Sequence, residues 1–225
     1  MGPTLNPTST DTWVESNLPP ELRELLGRAR RVVLVANNPA IRAEDFDALE
    51  LGGRDVVVSF NTAIKAELLP VSATQVFVHG YHGQDFYFFG LPCRRCISDL
   101  FQQAPQRCFT LLVGVVKPMS ALPRVAVYED RIPLAPLLDY PKLRSDGKPF
   151  AGPSTGFNGM VLFDWLRERP GYSYDLFALG FSNEAGKLWK GHAWDYERAW
   201  MNGSRVRVVA LSRRNKLWSL FSRWK

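Results

Sequence analysis

Two short segments of this chain carry residue types that suit chemistry on an anionic substrate. Pro153-Ser154-Thr155-Gly156 is a turn with two hydroxyl side chains and a glycine, and it directly precedes an apolar stretch of helical pattern. At such a helix start the backbone N–H groups and the helix dipole favour a bound anion. His192 lies beyond the next predicted strand, and an imidazole can act as a base near neutral pH. An anion site followed by a base favours group transfer from a phosphorylated donor. The alternative for His192 is an ordinary residue at a helix start.

The elements that must position these residues follow from the pattern of apolar runs. Continuous apolar stretches predict buried parallel strands, over residues 31–36, 55–60, 75–79, 108–113, 125–128, 174–181 and 206–211. A short helix is predicted to begin at Pro19, and further helical patterns cover residues 42–51, 157–169 and 194–201. The proline-rich residues 131–150 predict a long loop. Strands that alternate with helices predict an α/β fold, with a single Rossmann-like, mostly parallel sheet and helices on both faces.

Asparagines follow the first two predicted strands. Asn37 and Asn38 come directly after the first strand, and Asn61 comes directly after the second. Ligands of such sheets bind beyond the carboxyl ends of the strands, and asparagine both donates and accepts hydrogen bonds. The three side chains are therefore candidate ligand contacts. The alternative is that they are plain turn residues, because asparagine commonly ends strands.

Taken together, these segments resemble the sialyltransferase-like glycosyltransferases that use CMP-activated sugars, and the similarity runs from about Arg31 to Leu211. The strand ending in Asn37-Asn38-Pro39, with the later strand ending in Asn61, is similar to the long donor-binding motif of that family. The turn at 153–156, with its helix and the strand to Gly180, is similar to the short motif. His192 and Glu197, five residues further on, resemble the very short motif.

The resemblance implies a role for each matched residue and a Rossmann-like sheet of the GT-A-variant type. The donor CMP would be contacted by Asn37, Asn38, Asn61, Ser154, Thr155 and Gly156. His192 would take the proton from the acceptor hydroxyl, and Glu197 would orient the loop or cap it rather than react. The resemblance also implies an inverting transfer of sialic acid or a related 2-keto sugar acid such as Kdo to a glycan hydroxyl. It implies neither a catalytic metal nor a cofactor, since the CMP-sugar is a substrate.

The chain departs from the family pattern at the leaving group. The aromatic or histidine donors that would stabilise the departing phosphate have no evident counterpart between Phe181 and His192. The nearby donors are Lys187, Trp189 and Lys190, which we take as candidate phosphate contacts. This departure keeps a second hypothesis open, namely a sialyltransferase-like protein that binds a nucleotide or nucleotide-sugar without transferring it.

Two further patterns imitate metal sites. Asp45-Phe46-Asp47 has the Asp-x-Asp form found in other glycosyltransferases, but it lies within a helical segment and predicts a solvated helix face. His79 and His82, with Cys93 and Cys96, have a spacing that zinc would accept. The aromatic residues between the two pairs and the arginines between the cysteines favour a cleft wall and an exposed loop, so the sequence leaves zinc open and we expect no metal.

Charge and the ends of the chain bound the partners. The net charge of +6 favours an anionic partner, and since the basic residues form no nucleic-acid-binding motif we expect no nucleic acid. Residues 1–18 predict a flexible tail that is either disordered or loosely docked, residues 19–212 predict the α/β domain and residues 213–225 predict a basic amphipathic segment. That segment predicts either a helix at an anionic membrane surface, near a glycolipid acceptor of the lipopolysaccharide type, or an ordinary packed terminal helix. The absence of a signal-peptide pattern and the three cysteines favour the cytoplasm, peripheral to the inner face of the membrane if the segment binds lipid.

Overall fold

A sheet of seven parallel strands organises the protein. The computed structural model describes residues 12, 14–80, 95–113, 125–128, 132–181 and 188–212. The strands are β1 (Arg31–Val35), β2 (Asp55–Phe60), β3 (Thr74–Gly80), β4 (Cys108–Val113), β5 (Val125–Tyr128), β6 (Asp175–Leu179) and β7 (Arg207–Val209). Their order across the sheet is β5-β4-β3-β2-β1-β6-β7, and every pairing is parallel. The predicted α/β, Rossmann-like architecture is confirmed.

Helices cover both faces of this sheet, as predicted. They are α1 (Pro20–Gly27), α2 (Ala43–Asp47), α3 (Arg95–Gln103), α4 (Ala135–Leu138), α5 (Thr155–Leu166) and α6 (Trp194–Gly203), with 3-10 turns at Ala66–Leu68 and Pro105–Arg107. Successive strand residues point to opposite faces. Val32 and Leu34 therefore join a core with α1, α4 and α5, whereas Val33 and Val35 join a second core with α2 and α3.

The order of the strands places a crevice between β1 and β6. The chain runs outward from β1 to β5 on one side and then returns to lay β6 on the other side of β1. In parallel sheets such a switch point opens a crevice at the carboxyl ends of the strands, where ligands bind. The Ala36 N–H donates to the Leu179 carbonyl at 3.0 Å, which ties the two strand ends together.

Several bounds differ from the sequence-based expectation. Helix α3 lies in a stretch that carried no helical prediction, and α4 lies inside the predicted loop 131–150. The packed domain also begins before residue 19. Val14 and Leu18 are buried in the first core, and the Tyr128 hydroxyl donates to the Val14 carbonyl at 3.2 Å, so residues 14–18 are docked on the domain.

The predictions for the two ends of the chain fall largely outside the described residues. The described residues exclude residues 1–11 and 13 of the expected tail and all of the basic segment 213–225. Within the described part of the chain, no helix is both long enough and apolar enough to cross a membrane.

Candidate functional site at the carboxyl edge of the sheet

The predicted anion-binding turn lies at the start of α5. Ser154 is the N-cap residue, and its Oγ accepts a hydrogen bond from the Phe157 N–H at 3.0 Å. Within the described part of the chain, the N–H groups of Thr155 and Gly156 have no hydrogen-bond partner. Two backbone donors at a helix N-terminus, aligned with the positive end of its dipole, are the donors that an anion needs.

Gly156 of this turn, and Gly159 further along α5, also have a packing reason. A Cβ added at Gly159 would lie 2.6 Å from the Phe60 ring, and one added at Gly156 would lie 3.1 Å from the Phe181 ring. Glycine at these two positions therefore lets α5 approach Phe60 at the end of β2 and Phe181 just after β6. Gly156, which suggests an anion cradle in the sequence, thus also allows close contact between helix and sheet.

Asn61 ties two strand ends to the start of α5. Its backbone φ is +48°, a left-handed conformation that asparagine tolerates better than most residues. Its amide donates to Thr155 Oγ1 at 3.2 Å, and its Oδ1 accepts from the Gly80 N–H at 3.1 Å. Asn61 is therefore a turn residue and, at the same time, a neighbour of the predicted cradle.

The other two asparagines also bind backbone groups. The exposed Asn37 donates to the Phe60 carbonyl at 2.8 Å and accepts from the Ile64 N–H at 3.0 Å. Asn38 is buried, and its amide donates to the Gly180 carbonyl at 2.9 Å across the β1–β6 crevice. Asn38 thus holds the crevice together, while Asn37 and the half-buried Asn61 keep part of their side chains accessible.

Glu197 places a buried carboxylate against the same helix start. Its Oε1 accepts from the Ser154 N–H at 2.8 Å, and its Oε2 accepts from the Ser154 hydroxyl at 2.6 Å. The buried Tyr140 hydroxyl donates to Oε1 at 2.8 Å and accepts from the Ala193 N–H at 2.6 Å. This network joins α6 and the loop before it to the start of α5.

His192 lies in that loop with a defined tautomer. Its Nδ1 is 2.7 Å from the Gly152 carbonyl oxygen, which can only accept a hydrogen bond, so Nδ1 carries the proton. In the neutral ring Nε2 is then an acceptor. The Trp189 and Trp194 rings meet the imidazole edge to face, with centroids at 4.7 and 5.2 Å, and hold the ring plane.

The structure thus brings His192, Glu197 and the 153–156 turn together, although they are far apart in sequence. A small cavity of about 50 Å³ opens beside Ser154 and Glu197, with Phe181, Trp194 and Arg198 among its walls. Of the three candidate phosphate contacts, Trp189 and Lys190 are exposed in the His192 loop, and Lys187 lies outside the described residues.

Tyr140 and the Gly152 carbonyl are members of the site that the sequence did not reveal. Tyr140 stands in the predicted loop 131–150, and a main-chain carbonyl carries no side-chain signal. The only sequence cue is the closeness of Gly152 to the 153–156 turn.

The Asp-x-Asp pattern is not a solvated helix face, and that prediction is wrong for Asp45. Asp45 is buried, and its two oxygens accept from the N–H groups of Arg42 at 2.8 Å and Ser212 at 2.7 Å. Burial opposes its ionisation, but these hydrogen bonds prevail and lower the pKa of Asp45. Only Asp47 of the pair is exposed.

The zinc-like spacing is only partly visible. His79 is buried in β3, where burial lowers its pKa to about 3 and keeps the ring neutral. Cys96 lies in the first turn of α3, and His82 and Cys93 lie outside the described residues. Among the described residues, no three His, Cys, Asp or Glu side chains converge as a metal site.

Comparison with known proteins adds no relative. No protein-family model, curated protein or solved structure matches this chain.

Proposed function

We propose that this protein is an inverting, metal-independent glycosyltransferase. It would transfer sialic acid or a related 2-keto sugar acid, such as Kdo, from a CMP-sugar to a glycan hydroxyl. The observation that carries the proposal is the pairing of His192 with the start of α5. Gly152, whose carbonyl orients the imidazole, lies two residues before Ser154 in the chain. The N–H groups of Thr155 and Gly156 directly follow Ser154, so the base and the anion-binding donors are held by one short segment.

The two parts divide the work of the transfer. The N–H groups at the start of α5 bind the phosphate of the donor, whose negative charge grows as CMP leaves. His192 Nε2 accepts the proton of the acceptor hydroxyl while that oxygen forms its bond to the anomeric carbon and the bond to CMP breaks. The Nδ1–H remains bonded to the Gly152 carbonyl throughout, which stabilises the imidazolium that forms.

The strand ends supply the remaining contacts of the donor. The accessible parts of Asn37 and Asn61 face the carboxyl edge, where a nucleotide of a parallel sheet binds. Asn38 would contribute indirectly, by holding β1 against β6. The exposed Lys190 adds a cation to the His192 loop, and we retain it as a candidate phosphate contact.

Release of CMP tests the proposal. Purified protein is incubated with CMP-sialic acid and with CMP-Kdo, and we expect His192→Ala to lower the rate of CMP release by about 10²- to 10⁴-fold. Added imidazole should restore part of the rate. The control is Asp195→Asn, whose side chain is fully exposed nearby and which should keep the wild-type rate. A wild-type rate in His192→Ala would contradict the proposal.

One observation favours the alternative, a nucleotide-binding protein without transfer. The Glu197 carboxylate lies at the start of α5, where it would oppose the additional negative charge that the phosphate gains as CMP leaves, and so would hinder transfer more than binding of the singly charged donor phosphate. Calorimetry with CMP, alongside the release assay, separates the two functions. Binding of CMP without release from either donor would favour the non-catalytic protein.

A further inference from the structure

Trp189 stands out among the apolar side chains of the surface. It is 56% exposed, and among the described residues it is the one aromatic side chain in the group of exposed large hydrophobic residues. A single exposed apolar side chain is ordinary on a protein surface. What distinguishes Trp189 is its position beside His192, where its exposed ring is available to a ligand.

The ring is exposed but held in place. It lies against Gly191 so closely that a Cβ there would collide with its six-membered ring. The Trp189 carbonyl accepts from the Trp194 indole N–H at 2.7 Å, and the Gly191 carbonyl accepts from the Ala151 N–H at 2.8 Å. One face of the indole is thus covered by Gly191, and the loop that carries it is tied to the segment before α5.

The orientation of the ring matters for the acceptor. The Trp189 plane stands at 82° to the imidazole plane of His192, with the centroids 4.7 Å apart. If His192 Nε2 takes the acceptor proton, the acceptor hydroxyl must come within about 3 Å of that nitrogen. The sugar that bears the hydroxyl then lies directly beside the indole.

We infer that Trp189 is the stacking surface for the pyranose ring of the acceptor, rather than a phosphate contact. This inference rests on the proposed function. The C–H groups on one face of a pyranose are weakly positive and apolar, and the face of an indole is negative and apolar. A fixed indole also costs little conformational entropy when the sugar binds. Trp189 therefore selects a ring-shaped acceptor and places its hydroxyl at His192.

The test separates acceptor binding from donor chemistry. Wild type, Trp189→Ala and Trp189→Phe are compared in donor hydrolysis without acceptor and in transfer to methyl β-galactoside. For Trp189→Ala we expect the KM for the galactoside to rise about tenfold, a larger change than that in the rate of donor hydrolysis, which Trp189 affects only through its contact with His192. Trp189→Phe, which keeps an aromatic face, should lie between. Val71→Ala is the control, since Val71 is also exposed but lies before β3, at the other edge of the sheet.

Each outcome decides the inference. An unchanged KM, or an equal loss of hydrolysis and transfer, would overturn it, because Trp189 would then act on the donor or only on His192. If the wild type releases no CMP, the proposed function fails by itself. Titration of the intrinsic fluorescence with methyl β-galactoside then decides. Quenching in the wild type that is lost in Trp189→Ala supports a sugar-binding indole, and no quenching in the wild type rejects it.

Discussion

At the amino edge of the sheet the Asp55 carboxylate is surrounded by cations, whereas at the carboxyl edge the Glu197 carboxylate is held by uncharged donors. Asp55 accepts from the Arg31 guanidinium at 2.8 and 2.9 Å and from Arg30 and the Gly52 N–H. Glu197 accepts from the Ser154 N–H and hydroxyl and from the Tyr140 hydroxyl. Both carboxylates are buried, but only the first is neutralised by ion pairs among the described residues.

The difference separates a group that builds the fold from groups that remain available for a ligand. Asp55 uses its charge internally, and although burial opposes its ionisation, the arginines hold its pKa at about 2. Glu197 instead uses its charge to fix the start of α5 and the His192 loop. Among the described residues, the N–H groups of Thr155 and Gly156 and the Nε2 of His192 have no hydrogen-bond partner at that edge. The buried charge of Asp55 at the amino edge therefore stabilises the fold, whereas that of Glu197 at the carboxyl edge positions the residues of the site.

The largest expected effect is the loss of stability when Asp55 is replaced. Asp55→Asn removes a buried charge and leaves Arg31 with an uncompensated one, so we expect the free energy of unfolding to fall by about 3–5 kcal/mol. Urea denaturation measures it. Asp175→Asn is the matched control at the same edge, since its pair with Arg207 is about half exposed and should contribute less than about 1 kcal/mol. Folded Asp55→Asn protein should release CMP at the wild-type rate. A lower rate per folded molecule would contradict the assignment of Asp55 to stability alone.

The second effect is the response to acid, which the two edges should show in different pH ranges. His79 has a depressed pKa of about 3 in the folded protein, so between pH 6.5 and 3 the unfolded chain binds a proton that the folded chain does not. The part of the free energy of unfolding that depends on a neutral His79 is present above pH 6.5 and is lost as the pH falls, by about 2 kcal/mol between pH 6.5 and 5. The stabilisation from Asp55, whose pKa is also lowered, is lost only below about pH 4.

Denaturation curves at several pH values check this assignment. His79→Gln should flatten the dependence between pH 6.5 and 5 and leave the loss below pH 4 in place. His79 lies beside Gly80, whose N–H binds Asn61, so the acid-sensitive group is on the carboxyl side of the sheet. A dependence that persists unchanged in His79→Gln would assign the titration to another group.

The strands were predictable because burial on both faces leaves a strong local signal. The predicted bounds 55–60 and 108–113 agree with β2 and β4, which are apolar and buried along their length. Helix α3 was missed although Ile97 and Leu100 have helical spacing, because the arginines between Cys93 and Cys96 suggested an exposed loop, whereas Arg95 and Cys96 are the first residues of the helix. Four-residue α4 is too short to show a period at all.

The site was predictable only where spacing along the chain carries the signal. The 153–156 turn and His192 stood out because each lies beside a predicted helix or strand end, and Glu197 stood out because its spacing from His192 resembles the very short motif. Tyr140 is 57 residues from Glu197 in the chain, and no pattern links them. Asp45 was misjudged for the same reason, since the Ser212 N–H that buries and binds it is 167 residues away. Contacts of this kind arise from the tertiary fold rather than from local sequence.

The third effect sharpens the role of Glu197. Glu197→Gln places an amide N–H against the Ser154 hydroxyl and removes the charge at the start of α5, so the free energy of unfolding should fall by about 2 kcal/mol. CMP release should fall as well, because the His192 loop loses its anchor. Asp45→Asn is the control. It alters another buried carboxylate that accepts backbone N–H groups, and it should lose similar stability without a specific loss of activity. Equal losses of CMP release in Glu197→Gln and Asp45→Asn would contradict a positioning role for Glu197.

The smallest effect is expected at Tyr140, and it is the most selective. Tyr140→Phe leaves the buried Ala193 N–H unpaired and takes one donor from Glu197, which should lower stability by about 1–2 kcal/mol. Tyr174→Phe is matched to it, since the buried Tyr174 hydroxyl donates to the Phe163 carbonyl at 2.7 Å, in the second half of α5 and away from its start. Calorimetric melting should show similar losses for both. Only Tyr140→Phe should also slow CMP release and alter its pH profile, because the Ala193 N–H lies directly after His192. A pH profile identical to that of Tyr174→Phe would mean that Tyr140 supports the fold and does not position the imidazole.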